Sequence, residues 1–440
     1  MAAAILILAW IYHEWSYDRF HAKEKQLYVA YNRTIADGSL RCWDETPMIL
    51  GTTLKEDYPE IAGMARMTGS EEFLYANEDA RFKIRTSYTD PDFLTMFDFP
   101  LLQGNIESAL NDPYSIVLTE KEVIRLFGHE DPMGQTLLVN NQYPMTVTGV
   151  MKDLPGNTMF GFDALIPFSF MKVQGWYTES WEYSSVQTFV ELQPNVRLDL
   201  LNESIREVAH VHINNQEVFL HPISKQHLFS TFENGKPVGG ALMEKMRLFS
   251  NIAVLILLTA CINFMNLSTA RSQKRSKEVG VRKVLGGKRL SLIRLFLGES
   301  MVISLIAGSI ALILALMVLP VFSTLMGQQL TLDLTNIRFW LTGLGFVSFI
   351  CLLAGSYPAF YLSSFLPIKV LKGIFRMKQE LISPRKVLVV VQFTIASALI
   401  VSTLVIHRQI RYARDRESMK PSVKFVISSM KRKQSTRIQI

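Results

Sequence analysis

Apolar and polar positions divide the chain into two regions. Before residue 247 they alternate over short distances: Val186, Thr188, Val190 and Leu192 recur at every second position of SVQTFVEL, and TLLVNNQYPMTVTGV reads as two such runs around Asn140-Asn141. A period of two puts successive side chains on opposite faces of a strand, and Asn tolerates the left-handed backbone of a tight turn. The first stretch is therefore a predicted strand and the second a predicted hairpin. Helical spacing intervenes in TEKEVIRLFG, where Thr119 and Glu122 stand at capping-box distance and Gly128 sits where a helix ends. Short strands mixed with helices across residues 13–246 predict an α+β domain.

Beyond residue 247 the alternation stops. Four runs, Leu248–Leu267, Ser300–Leu332, Phe339–Ile368 and Val387–Ile406, contain no Asp, Glu, Lys, Arg or His. About 20 apolar residues cross a bilayer core, so spans are predicted at about 248–267, 300–322, 339–360 and 387–406. The apolar run Met1–Tyr12 is too short to cross and stops at His13-Glu14. Without a basic start or a small-residue cleavage site it is no signal peptide; residues 1–12 read as the remnant of a first transmembrane helix. Composition agrees with a multi-pass α-helical membrane protein carrying a large α+β domain: 49% of the 440 residues are hydrophobic and only 19% charged.

Charge orients the chain, because cytoplasmic loops hold the excess of Lys and Arg. Residues 271–294 carry nine basic residues against Glu278 alone, residues 323–337 carry none, and residues 369–386 carry six against Glu380. The first and third loops are thus predicted to be cytoplasmic, the second outside, and the large domain extracytoplasmic. The region 407–440 is an atypical basic tail, with ten Lys and Arg against Asp415 and Glu417, although alternation of the spans would place it outside.

The most basic stretch, KRSKEVGVRKVLGGKR at 274–289, admits several chemistries. A phosphate loop would need Gly at 282 and a hydroxyl at 289, and both are Arg. Nucleic-acid binding is not expected of a stretch without aromatic residues wedged between two spans. What remains is a plain positively charged loop or an amphipathic helix along the membrane edge, with Val279, Val281, Val284 and Leu285 among the cations and Gly286-Gly287 ending it. Catalytic signals are absent: the sequence has no HExxH, no GxSxG and no clustered His or Cys ligands, and Asp90, Asp92 and Asp98 read as turn and cap residues. Cys42, Cys261 and Cys351 are scattered and read as free thiols. Glu299 reads as either a functional or a snorkelling carboxylate. Pro358 is expected to end or kink its span, with Tyr357 and Tyr361 as interfacial anchors.

RSKEVGVRKVLGG, SYPAFYLSSFLPIKVLKG, YDRFH, PLLQGN, LTEKEVIRLFGHEDPMGQTL and VTGVMKDLPGN together resemble the FtsX-like/MacB-like permeases of ATP-binding-cassette systems, over about Trp10 to Tyr412. The resemblance implies a MacB-like core at 13–246, an FtsX-like permease domain at 247–368, a cytoplasmic linker at 369–386 and a further span at 387–406. It also implies that Arg275, Ser276, Lys277, Glu278, Val279, Gly280, Val281, Arg282, Lys283, Val284, Leu285, Gly286 and Gly287 form a coupling helix docking on a separate cytoplasmic ATPase. Glu278, Gly280, Arg282 and Gly286 stand at the motif positions. ATP would be bound by that partner, so no cofactor is expected here; the other expected partners are membrane lipid and a homodimer mate or second permease half. By comparison with long, duplicated members of the family, the chain reads as shortened at both ends. The alternatives are a membrane-anchored sensor or scaffold with a ligand-binding ectodomain, and a non-functional fragment.

Overall fold

The computed structural model describes residues 1–36, 38–77, 81–213, 215–363 and 384–418. They form two compact units: a larger one of Ile7–Ser250 with Leu319–Thr331, and a helical one of Met1–Leu6, Asn251–Val318 and the chain from Leu332 onward.

The larger unit is α+β, built on a mixed sheet of thirteen strands among the described residues. Six of them close into a ring. Ala164–Pro167 pairs antiparallel with Ser115–Thr119 and parallel with Arg81–Thr89, and Tyr143–Met151, Thr136–Val139 and Glu71–Ala76 complete the circuit. Closure leaves these strands no open edge. Tyr75, Ile84, Ile116, Leu118, Leu137, Val139, Met145 and Val147 fill the interior. The sheet continues from Arg81–Thr89 through Ile61–Met67 and Ser184–Leu192 to Leu27–Ala36 and Gln216–Pro222.

Ser184–Leu192 shows why its sequence alternates. Val190 and Leu192 lie under the helices Met48–Asp57 and Leu198–Ser204, while Phe189 enters an aromatic core with Phe93, Phe97, Phe99, Phe160 and Phe162. Both faces of this strand are therefore covered. The predicted hairpin forms as Thr136–Val139 and Tyr143–Met151, and Asn140 and Asn141 take φ of 51° and 56°.

The expected capping box does not form. Thr119 precedes the helix Glu120–Phe127, but its side chain makes no cap bond; Glu122 is buried and paired with Arg125 at 2.6 Å. The i, i+3 ion pair has displaced the back-bond to the helix start. Gly128 ends the helix at φ 63°.

The second loop also differs from expectation. Residues 319–331, placed by sequence within a span and a free outer loop, belong to the larger unit, where Leu319, Phe322, Met326 and Leu330 bury against Trp10, Leu228 and Met246. Ala241–Leu267, Arg289–Met326 and Val389–Gln409 are long and apolar enough to cross a membrane, and the described apolar stretch Ile337–Leu353 is shorter. The helix Ile337–Ser363 runs on past Pro358. Residues 364–383, with most of the linker, and 419–440 of the tail lie outside the described residues.

Candidate functional site

The predicted coupling segment is the end of a much longer helix. Ala241–Val284 is unbroken over 44 residues, about 66 Å at 1.5 Å per residue, because nothing between Leu267 and Val284 interrupts it: the stretch has no Pro, and its single Gly280 is tolerated within a helix. A separate amphipathic helix along the membrane edge is thus replaced by a direct continuation. The stop after Val284 is a two-glycine device. Gly286, at φ 91°, donates its N–H to the Lys283 carbonyl (3.1 Å), and Gly287 donates to the Arg282 carbonyl (2.9 Å), the two bonds of a Schellman motif. A Cβ on Gly287 would lie 2.7 Å from the Arg282 oxygen. The next helix, Arg289–Met326, begins two residues later and closes a helical hairpin.

The four apolar residues of the segment do not share one face. Val279 is buried against Leu292 and Phe296, pinning the hairpin, whereas Val281, Val284 and Leu285 are exposed. At about 100° per residue these three fall in one arc opposite Val279, flanked by exposed Arg282, whereas half-buried Lys283 lies on the Val279 side. The surroundings of Arg275, Ser276, Lys277, Glu278 and Gly280 lie outside the described residues, as do those of Tyr357 and Tyr361.

A second constellation, within the larger unit, was not anticipated. Glu14, buried where the first apolar run ends, accepts a hydrogen bond from His227 Nε2 at 2.5 Å, and the His227 ring stacks face to face on Tyr17 at 3.5 Å. Asp18, also buried, accepts from Thr158 Oγ1 at 2.5 Å and from the Met159 amide at 3.0 Å; burial pushes its pKa up to about 6. Asn157 Nδ2 bonds the Ser16 carbonyl at 3.1 Å. A Cβ at Gly156 would stand 3.1 Å from the Gln329 carbonyl. YDRFH, LPGN and the 319–331 segment therefore meet here. In the sequence the only signal was the abrupt His13-Glu14 at the end of an apolar run.

Residues 1–208 match the family described as the MacB-like periplasmic core domain, and residues 251–367 match the FtsX-like permease C-terminal family. The chain thus carries a MacB-like periplasmic core domain and an FtsX-like permease domain. It is 25% identical over 328 residues to the macrolide export ATP-binding/permease protein MacB 2 of Aeromonas hydrophila, covering 72% of this chain and 48% of that protein. It is 24% identical over 276 residues to the pyoverdine export ATP-binding/permease protein PvdT of Pseudomonas syringae, covering 59% and 39%. The permease chain thus spans less than half the length of these relatives. Among solved structures, the periplasmic region of MacB from Actinobacillus actinomycetemcomitans aligns at a TM-score of 0.34 and 16% identity, over 45% of this chain and 89% of that one.

The three aspartates singled out in the sequence have structural partners. Asp90 grips the buried Arg66 through both carboxylate oxygens at 2.8 Å, Asp92 pairs with Lys55 at 2.6 Å, and Asp98 accepts the Ala22 amide at 2.5 Å. The three point to separate partners, so they form no acid–base pair. Asp92 precedes the helix Phe93–Met96 without a side-chain cap bond, so it is an ion-pair anchor rather than the expected cap. Glu299 is exposed. Cys42, Cys261 and Cys351 are free, and no group of three metal-binding side chains occurs among the described residues.

Proposed function

We propose that this chain is a permease subunit that couples a separate cytoplasmic ATPase to an extracytoplasmic domain by mechanotransmission, for export or extraction of peptides, lipids or lipoproteins. The observation that carries the reading is the hairpin end at 279–287. It lies inside the FtsX-like match, its turn depends on two glycines, and it offers three apolar side chains to a partner while a fourth anchors it. An exposed apolar arc can dock a protein partner, and a neighbouring cation can pair with an acidic group on that partner. The relatives' names, which join ATP-binding and permease functions for export, support the same class.

Under this reading ATP is held by the partner subunit and no catalytic centre is needed here. The basic loops face the cytoplasm of a multi-pass inner-membrane protein, and the chain works as a homodimer or with a second permease half. Purification of the tagged chain from its native membranes is expected to retain an ATPase. Retention should be lost in Arg282→Glu/Lys283→Glu and in Leu285→Asp; an ATPase retained equally by both variants overturns the proposal.

A further inference from the structure

We propose that the larger unit carries a binding pocket for a protonated or quaternary amine, with Asp44 as its counter-ion. The pocket, of about 480 Å³, is lined by Tyr31, Trp43, Asp44, Met159, Gln226 and His227, a volume in the range that holds small molecules. Its floor is set by strand register: Tyr31 lies on Leu27–Ala36, and the neighbouring strand Ser39–Trp43 pairs Trp43 with Asn32 and delivers Asp44 just past its end.

The carboxylate is held by neutral groups. Gln187 Nε2 donates to Asp44 Oδ2 at 2.6 Å, Gln226 Nε2 donates to the same oxygen at 3.1 Å, and the buried Tyr31 hydroxyl donates to Gln226 Oε1 at 2.8 Å. Among the described residues Asp44 forms no ion pair, and its Oδ1 receives no donor. A fixed, half-buried carboxylate bonded only by amides has no counter-charge beside it, and a cation entering the pocket would supply one.

The remaining lining fits the same ligand. Trp43 brings an aromatic ring, a group that attracts ammonium ions, and Met159 adds a polarisable apolar wall, while the Tyr31 ring is packed in the core and serves to hold Gln226. An anion finds no equivalent welcome: the one cationic candidate in the lining, His227, has its Nε2 committed to Glu14 and its ring covered by Tyr17. The pocket is independent of ATPase coupling, and its ligand can be measured with no ATPase present.

The test uses the full-length chain in a maltoside detergent, titrated calorimetrically with choline and with neohexanol, its uncharged isostere. Choline is expected to bind and neohexanol to bind about tenfold more weakly or not at all. Asp44→Asn keeps an acceptor oxygen for Gln187 and Gln226 while removing the charge, and should weaken choline about tenfold or more; Trp43→Leu should weaken it about fivefold. No choline binding, equal binding of neohexanol, or unchanged affinity in both variants overturns the proposal. Adding phosphatidylethanolamine separates the two sources of such an amine: displacement of choline assigns the pocket to a lipid headgroup, and undisturbed binding assigns it to a soluble amine.

Discussion

His21 and His221 are buried and held neutral, each for a legible reason. Burial lowers both pKa values to about 4. His21 Nδ1 accepts the Asp98 backbone N–H at 3.0 Å, so protonation there would set donor against donor. The unfolded chain takes up these protons below about pH 6.5 and the folded chain only near pH 4, so stability falls as pH drops through that window, by roughly 3 kcal/mol per histidine. Asp18 acts in the opposite sense: raised to about 6, it contributes stability that is present below its unfolded value near 4 and lost as pH rises to about 6. The full chain should therefore show a net loss in denaturant midpoint between pH 6.5 and 4. That loss should be steeper in Asp18→Asn and shallower in His221→Gln; identical slopes in all three proteins would refute these assignments. Arg66 is a second residue whose role is fixed by burial, since it bonds Asp90 twice, reaches the Met48 carbonyl and lies 4.2 Å from the Phe168 ring. Arg66→Met leaves Asp90 without its cation in a half-buried site, and should lower unfolding stability by about 3–5 kcal/mol, measurable by tryptophan fluorescence in urea.

Among the elements, those dictated by local chemistry were legible in the sequence and those dictated by distant partners were not. The 136–151 hairpin, the alternation in 184–192 and the helix stop at Gly286-Gly287 all depend on residues within a few positions of one another. Local rules can also compete, since Glu122 pairs with Arg125 three positions on instead of bonding back to the helix start, and at long range Glu14 finds His227 across 213 residues. No spacing rule announces such a contact. The predicted coupling segment is a mixed case: its glycine stop was readable, but the unbroken helix divides its apolar residues between a buried face at Val279 and an exposed one at Leu285. The two glycines should differ in tolerance. Gly286→Ala meets no atom within 4 Å but must adopt a positive φ, a cost of about 1–2 kcal/mol. Gly287→Val forces a 2.7 Å approach to the Arg282 carbonyl and must reopen the turn. ATPase retention should survive the first and fail in the second, and equal behaviour of the pair would show that the turn geometry is not what the partner reads.

At the scale of the whole molecule, the proposed topology makes a demand that burial alone cannot mimic. Val211 in the larger unit is 80% exposed and Leu285 in the hairpin turn is 81% exposed, so a thiol at either position is equally open to reagent in the isolated protein. Any difference in labelling on intact membranes therefore reports the side of the membrane and not accessibility within the fold. The background is favourable, because Cys261 and Cys351 are buried and only half-buried Cys42 needs replacing by Ser. In sealed spheroplasts a membrane-impermeant maleimide should label Val211→Cys at once and Leu285→Cys only after lysis, as the excess of Lys and Arg around Leu285 requires. The 319–331 segment sharpens this expectation. Leu330 is buried with Trp10, Leu228 and Met246 in the larger unit, so the short loop and the large domain must share a side, and a thiol at exposed Gln329 (Gln329→Cys) should label from the side that reaches Val211→Cys and not from the side that reaches Leu285→Cys. Labelling of Val211→Cys and Leu285→Cys from the same side would remove the physical basis for coupling an ATPase at the hairpin to events in the larger unit.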